Sequence, residues 1–319
     1  MTVTTNGLAK ARRGVAPGGS GQPLKRNSTS PLKAQRTRTF LWLLLPSVLL
    51  LLLINGYPLV YAAIQATHNG SLIDTGEFVG LDNFTSVLTS PALWKAAGFT
   101  LVFTIVGVFG SWIVGLGLAL LLKTRIPVRG LFKILLLLPW VVPIVVSSTA
   151  WNWLLGTPQS PIPALFNAVG LGSPLFLANP TLAAVTVCVF KVWVSFPFMM
   201  MMSASALASV DSTVYEAASM DGATKWQQFT QITLPLSARS TYISWILMTI
   251  FCVNDFPTIY LLTGGGPVDA TTSLVVFAYR TVFQNFQTGQ GVAVAFLMTL
   301  TLVVVSVILY RQIRKSSVE

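Results

Sequence analysis

Long apolar runs alternate with shorter polar stretches along this 319-residue chain, and the runs have the length of membrane helices, not of buried strands. Spanning ~30 Å of hydrocarbon takes about 20 mostly apolar residues as a helix, because every backbone polar group must find its partner within the segment. Six stretches qualify, at roughly residues 40–63, 96–122, 131–155, 182–207, 242–262 and 291–310. They predict an all-α polytopic membrane protein with six transmembrane helices. Pro46, Pro58, Pro139, Pro143 and Pro197 fall inside these spans, where each removes a backbone donor and favours a kink.

Composition agrees with a bilayer as the solvent: 53% of residues are hydrophobic and 9% charged, against about 25% charged in soluble domains. The net charge of +11 does not form a nucleic-acid-binding face, since most Lys and Arg sit in clusters beside the apolar runs. Bases from Lys10 to Arg38 precede the first span. Lys123, Arg125, Arg129 and Lys133 follow the second, Lys225 and Arg239 lie between the fourth and fifth, and Arg311, Arg314 and Lys315 end the sixth. The alternate loops carry Asp74, Glu77, Asp82 and Asp269, with Lys95 and Arg280 as their bases. The positive-inside rule then places both termini in the cytoplasm. Residues 1–36 are rich in Gly, Ser, Thr, Pro and bases without apolar periodicity, and read as a disordered basic tail. The run after them is too long for a signal-peptide core, so the first span is expected to be retained. Cys188 and Cys252 lie inside apolar runs and His68 has no ligand-spaced neighbour, which argues against disulfides and against a metal site.

Between the fourth and fifth spans lies EAASMDGATKWQQFTQITLPL, residues 216–236. Thr213 and Glu216 fit a capping box, and Gly222 suits a left-handed helix end. Thr224 with Gln227 fits a second box. Trp226, Phe229 and Ile232 form an apolar edge, and Pro235, which restricts Leu234, is expected to end the second helix. The prediction is helix, glycine turn, helix. An amphipathic pair on the lipid surface would carry a basic polar face, and this one has Lys225 alone. Its Ser, Thr, Gln and Asp suit a protein groove better.

Glu216, Ala217 and Ala218, followed by Asp221, Gly222 and the I-T-L-P run ending at Pro235, resemble the EAA loop of binding-protein-dependent ABC importer permeases. VGLDNF at 79–84 and LLTGGGP at 261–267 are similar to motifs of carbohydrate importer permeases of the maltose and glycerol-3-phosphate type. The resemblance spans about residues 40–311 and implies a type I importer permease fold over 37–315, in a bacterial cytoplasmic membrane. It implies that the loop at about 208–238, with Glu216, Ala217, Ala218, Asp221, Gly222, Trp226 and Pro235, couples to an ATPase. Implied partners are a second six-span permease, two copies of a nucleotide-binding ATPase subunit and an extracytoplasmic solute-binding protein that delivers a sugar. The basic tail has no counterpart in that pattern.

No Gly-Lys pair occurs, so the chain lacks a G-x-x-x-x-G-K-[ST] phosphate loop. The expectation is a non-catalytic subunit without a cofactor, with ATP and Mg held by the partner ATPase. Polar groups inside spans are costly and commonly face a cavity. Asn254 and Asp255 fall in the outer half of the fifth span, Lys191 at similar depth in the fourth, and Asn152 near the outer end of the third. With Trp153, Trp193 and Phe251, also near Trp151, they are candidates to line a sugar pathway, since a neutral sugar takes amide and carboxylate partners plus aromatic faces. Lys191 and Asp255 fit a structural ion pair as well as substrate contact, and Trp151 and Trp153 fit an interfacial belt. Met199 to Met202 read as adaptable packing. TGGGP reads as a turn, and 271–286 as a helix across the outer face. Two other readings are an ion-coupled secondary sugar transporter using Asp255 and an importer of glycerol-3-phosphate or a related sugar phosphate.

Overall fold

The computed structural model describes residues 31–124 and 127–316, the side chains of 31–38, 309 and 312–316 excepted; the tail residues 1–30 and Arg125 lie outside these. The regular structure of the described residues is helical apart from one isolated bridge, His68 to Phe78. Two compact units divide the chain, residues 1–58 and 59–319. The first holds most of α1 (Pro31–Ala66), so helical backbone begins six residues before the 37 boundary read from composition. Its side chains from Phe40 to Leu53 are exposed throughout, an apolar surface suited to lipid contact.

In the second unit, α2 (Asp82–Thr89) and α3 (Pro91–Ile105) lead through a π-helical turn, Val106–Gly110, into α4 (Ser111–Lys123). Together 91–123 form one 33-residue apolar rod. The third stretch is not one straight span: α5 (Arg129–Val141) and α6 (Ile144–Leu155) meet at 91°. Pro143 explains the break, because it disfavours helical backbone at Val142, which adopts ψ 132° instead. Short α7 (Pro161–Ala168) leads to α8 (Pro180–Ala208), which Asn179 caps and which runs unbroken through buried Pro197. After α9 (Ser212–Met220) come α10 (Lys225–Gln228), a second π-turn at Phe229–Thr233, and α11 (Leu234–Val253). Then α12 (Phe256–Thr263), α13 (Leu274–Phe283) and α14 (Thr288–Ser316) complete the chain. Among the described residues, five helices are long and apolar enough to cross a membrane, or six with the bent α5–α6 pair counted as one.

Three apolar clusters hold the second unit together. Phe99, Phe103, Phe190, Met248 and Ile259 join α3, α8, α11 and α12. Leu116, Met200 and Leu207 join α4 to α8, and Val87, Leu93 and Val294 join α2, α3 and α14. The α4–α8 contact is backbone-close: a Cβ on Gly115 would lie 2.6 Å from the Met200 nitrogen. Met199 and Met200 are buried whereas Met201 is exposed, so the methionine run is split between core and surface. Buried Asn83 of the GLDNF motif donates to the Ala66 and His68 carbonyls at 2.9 and 2.8 Å, tying the end of α1 to α2. The TGGGP turn is held by Thr271 and Thr272, whose hydroxyls donate to the Gly266 and Gly265 carbonyls, and α13 forms most of the predicted 271–286 helix.

Candidate functional site

The α9–α10 corner is built almost wholly from local hydrogen bonds. Asp211, not Thr213, caps α9: its carboxylate accepts from the Thr213 N–H at 3.0 Å, which leaves Glu216 free of any capping role. The expected Thr213–Glu216 box does not form; an aspartate two residues earlier offers a charged acceptor with the right reach. That bond also holds the Asp211 carboxyl below the usual carboxylate range. At the other end Gly222 takes φ +79°, its N–H donates to the Ser219 carbonyl, and the Ala223 N–H donates to the Ala218 carbonyl. These two bonds make a Schellman ending, so Ala218 and Gly222 of the EAA motif contribute backbone geometry. The predicted Thr224–Gln227 box is present.

Contrary to expectation, Pro235 ends nothing. Helix continues from Lys225 to Val253, because the π-turn at Phe229–Thr233 relieves the crowding a proline ring imposes on the preceding turn. The Thr233 hydroxyl donates to the Gln228 carbonyl at 3.2 Å, and Ser237 to the Thr233 carbonyl at 2.6 Å, satisfying acceptors in the disturbed ladder. The second arm of the corner is thus the rigid end of the fifth span.

Three ties that sequence reading missed fasten the corner. Gln228 donates to the Ser219 hydroxyl and to the Ala223 carbonyl at 2.9 and 3.2 Å, closing the angle between the helices. Tyr215 and Thr233 hydroxyls lie 3.0 Å apart, and the Lys123 ammonium at the end of α4 sits 4.6 Å from the centre of the Tyr215 ring. No periodicity signals such contacts, since their partners lie on different elements. Between them opens a cavity of about 510 Å³ lined by Lys123, Tyr215, Glu216, Lys225, Gln228 and Thr233, among others. Outside it, Met220 is 90% and Trp226 71% exposed, two large apolar side chains flanking the corner. Ala217 and Asp221 are exposed beside them, while Phe229 packs onto the Leu116–Met200–Leu207 cluster.

The pathway candidates separate into distinct places. Lys191 and Asp255 meet as a buried ion pair at 2.6 Å, and the other Asp255 oxygen accepts from the Thr258 N–H, capping α12. Asn254 and Asp255 are not inside the fifth span, as the sequence suggested: α11 stops at Val253 and α12 restarts at Phe256. The break precedes Pro257, which sits in the first turn of α12, where its missing N–H costs nothing. Asn254 is exposed and donates to the Ile250 carbonyl in the last turn of α11. Asn152 donates across to the Leu262 carbonyl at 3.2 Å, linking α6 with α12. Asn152 and Trp153, the latter 69% exposed, line an open cavity of about 580 Å³ with Gln159 and Ser160. Trp193 packs with Trp151 and Phe190, which places Trp151 at the core edge. Phe251 meets Phe198 and Trp140 in a third aromatic group.

A bundle of apolar helices with one end elaborated into a rigid helix–glycine–helix corner defines a type I importer permease. Residues 111–317 match the model of the binding-protein-dependent transport system inner membrane component family, and the chain belongs to that family, whose members are multi-pass proteins of the inner membrane. It is 30% identical over 274 residues to the sulfoquinovosyl glycerol transport system permease protein SmoG of Agrobacterium fabrum, covering 85% of this chain and 89% of that one. Identity is 31% over 291 residues with the trehalose/maltose transport system permease protein MalF of Thermococcus litoralis, covering 91% and 98%. In fold it is similar to a chain of a bacterial ABC transporter involved in the import of the acidic polysaccharide alginate, with a TM-score of 0.76 at 20% identity over 90% of this chain and 99% of that one.

Proposed function

We propose that this chain is a pore-forming permease subunit of an ATP-driven sugar importer, and that its α9–α10 corner docks into a separate ATPase. The observation that carries this reading is the corner itself: capped at Asp211 and Thr224, turned at Gly222, clamped by Gln228, and continuous with α11. Such a unit moves as a rigid body, so a push on exposed Met220 and Trp226 reaches the fifth span through α11 and the second span through Tyr215 and Lys123. In this scheme ATP and Mg bind to two copies of the ATPase, a second six-span permease completes the pathway, and an extracytoplasmic binding protein delivers the sugar. The basic loops, and with them both termini, face the cytoplasm.

The named transport substrates of the relatives, trehalose/maltose and sulfoquinovosyl glycerol, support a di- or oligosaccharide or a glycoside as cargo. Asn152 and Trp153 are the best-placed candidates to meet it, an amide beside an exposed aromatic face in an open cavity. Lys191 and Asp255 serve the pathway as a structural pair. An ion-coupled carrier using Asp255 fits less well, because both its oxygens are already engaged by Lys191 and Thr258.

Reconstitution of the whole importer into vesicles tests the reading. Uptake of a labelled disaccharide is expected to continue when proton and sodium gradients are collapsed, and to stop when ATP is withheld. Uptake that follows the ion gradient and ignores ATP refutes it.

A further inference from the structure

Where α4 ends, α5 begins and the last turn of α8 arrives, a cavity of about 180 Å³ opens. Its walls are apolar, formed by Ala119 and Leu122 of α4 with Ala204, Leu207 and Ala208 of α8. Its charged lining consists of three bases, Lys123, Arg129 and Lys133, and no acid. The ion pairs found among the described residues, Lys191–Asp255 and Arg280–Asp269, involve none of them. Arg129 and Lys133 stand four residues apart on α5, the spacing at which like charges on a helix repel. All three are exposed, and all three line the same apolar slot, a pairing of charge with hydrocarbon wall that favours an anion carrying hydrocarbon. Around them α5 exposes Leu131, Phe132, Ile134 and Leu135, so the helix flank is apolar beside the charged end.

We propose that this pocket binds the phosphodiester headgroup of an anionic phospholipid. Arg129 and Lys133 hold the phosphate, Arg129 through two N–H groups and Lys133 as a point charge. Lys123, already fixed over Tyr215, closes the inner edge. The first methylenes of the acyl chains lie along Ala119, Leu122, Ala204 and Leu207. A free phosphate gains nothing from that wall, which is why the lipid is the favoured source of the charge. The leaflet, cytoplasmic, rests on the topology proposed above; binding itself needs neither transport nor ATPase, so the two readings fail separately.

The test is lipid retention on the purified full-length chain, exchanged against an equal mixture of phosphatidylglycerol and phosphatidylcholine and read by native mass spectrometry. Phosphatidylglycerol is expected to be retained in preference. A basic residue near an anionic surface is worth roughly fivefold in affinity, so Arg129→Gln with Lys133→Gln should lower its retention about 25-fold. Each single variant should lower it roughly fivefold, and the swap Arg129→Lys with Lys133→Arg should keep most of it. Arg239→Gln, which removes an exposed base elsewhere on the same side, should leave it unchanged. Equal retention of the two lipids by the unmodified chain, or undiminished retention by both glutamine singles, overturns the proposal. So does binding of inorganic phosphate or of chain-free glycerophosphoglycerol as tightly as the intact lipid, which would make the pocket a simple anion site.

Discussion

Lys191 and Asp255 illustrate how much a single residue's meaning depends on its partner. Each alone would be an intolerable charge inside an apolar bundle; together, at 2.6 Å and both buried, they join α8 to the α11–α12 break. Removing one partner strands the other, at a cost of about 3–5 kcal/mol. Lys191→Met is therefore expected to lower the thermal stability of the purified chain sharply, whereas Lys191→Met with Asp255→Asn should recover more than half of that loss, because Asn keeps an acceptor for the Thr258 N–H. A double variant no more stable than the single would show that the pair is not the reason for the charges. Asp211 gives a second test at this scale. Its carboxyl titrates below the usual carboxylate range because the Thr213 N–H donates to it. Its contribution to α9 is thus complete above the unfolded value of about 3.9 and disappears as pH falls through the folded value. Amide exchange protection in α9 should weaken over that acidic window, and Asp211→Asn should flatten the dependence. The sequence named Lys191 and Asp255 as a possible pair but misassigned the α9 cap, since Asp211 and Thr213 both satisfy the capping chemistry and the backbone chooses between them.

Among the elements, the glycine turn and the second cap of the helix–glycine–helix corner were legible in the sequence. Gly222 takes the left-handed conformation expected of it, at φ +79°, and nothing lies within 4 Å of where a Cβ would stand. Substitution there meets backbone strain alone, about 1–2 kcal/mol for a side chain without β-branching. Gly222→Ala is expected to reduce ATP-dependent uptake modestly and Gly222→Val to abolish it, while immunoblots of washed membranes show both variants inserted at normal levels. Full uptake with Gly222→Val would remove the corner from the coupling scheme. Other elements were misread for one shared reason, proline. Pro143 breaks a stretch that hydropathy counts as continuous, and Pro235 fails to break one that local rules end. A proline's effect depends on the register of the turn before it, and at Pro235 the π-turn over Phe229–Thr233 widens the turn that its ring would otherwise crowd.

For the whole molecule, the strongest remaining expectation concerns sidedness. Cys188 and Cys252 are buried free thiols, so an introduced surface cysteine should report alone. With a membrane-impermeant maleimide, Met220→Cys should label only from the cytoplasmic side and Val268→Cys, at an exposed point of the TGGGP loop, only from the opposite side. Labelling of both from one side would invalidate the positive-inside assignment. By itself the sequence determined that the protein lives in a bilayer, where its helices begin and end to within a few residues at most boundaries, and which polar loop forms a helix pair, because hydrocarbon thickness, capping and glycine geometry act locally along the chain. Only the tertiary structure decided which polar residues meet. It paired Lys191 with Asp255, set Asn152 and Trp153 in an open cavity apart from them, turned Trp193 into the core edge, and drew Lys123 over Tyr215. Those outcomes follow from how helices far apart in sequence cross, as at Gly115 against Met200, and no local pattern encodes a crossing.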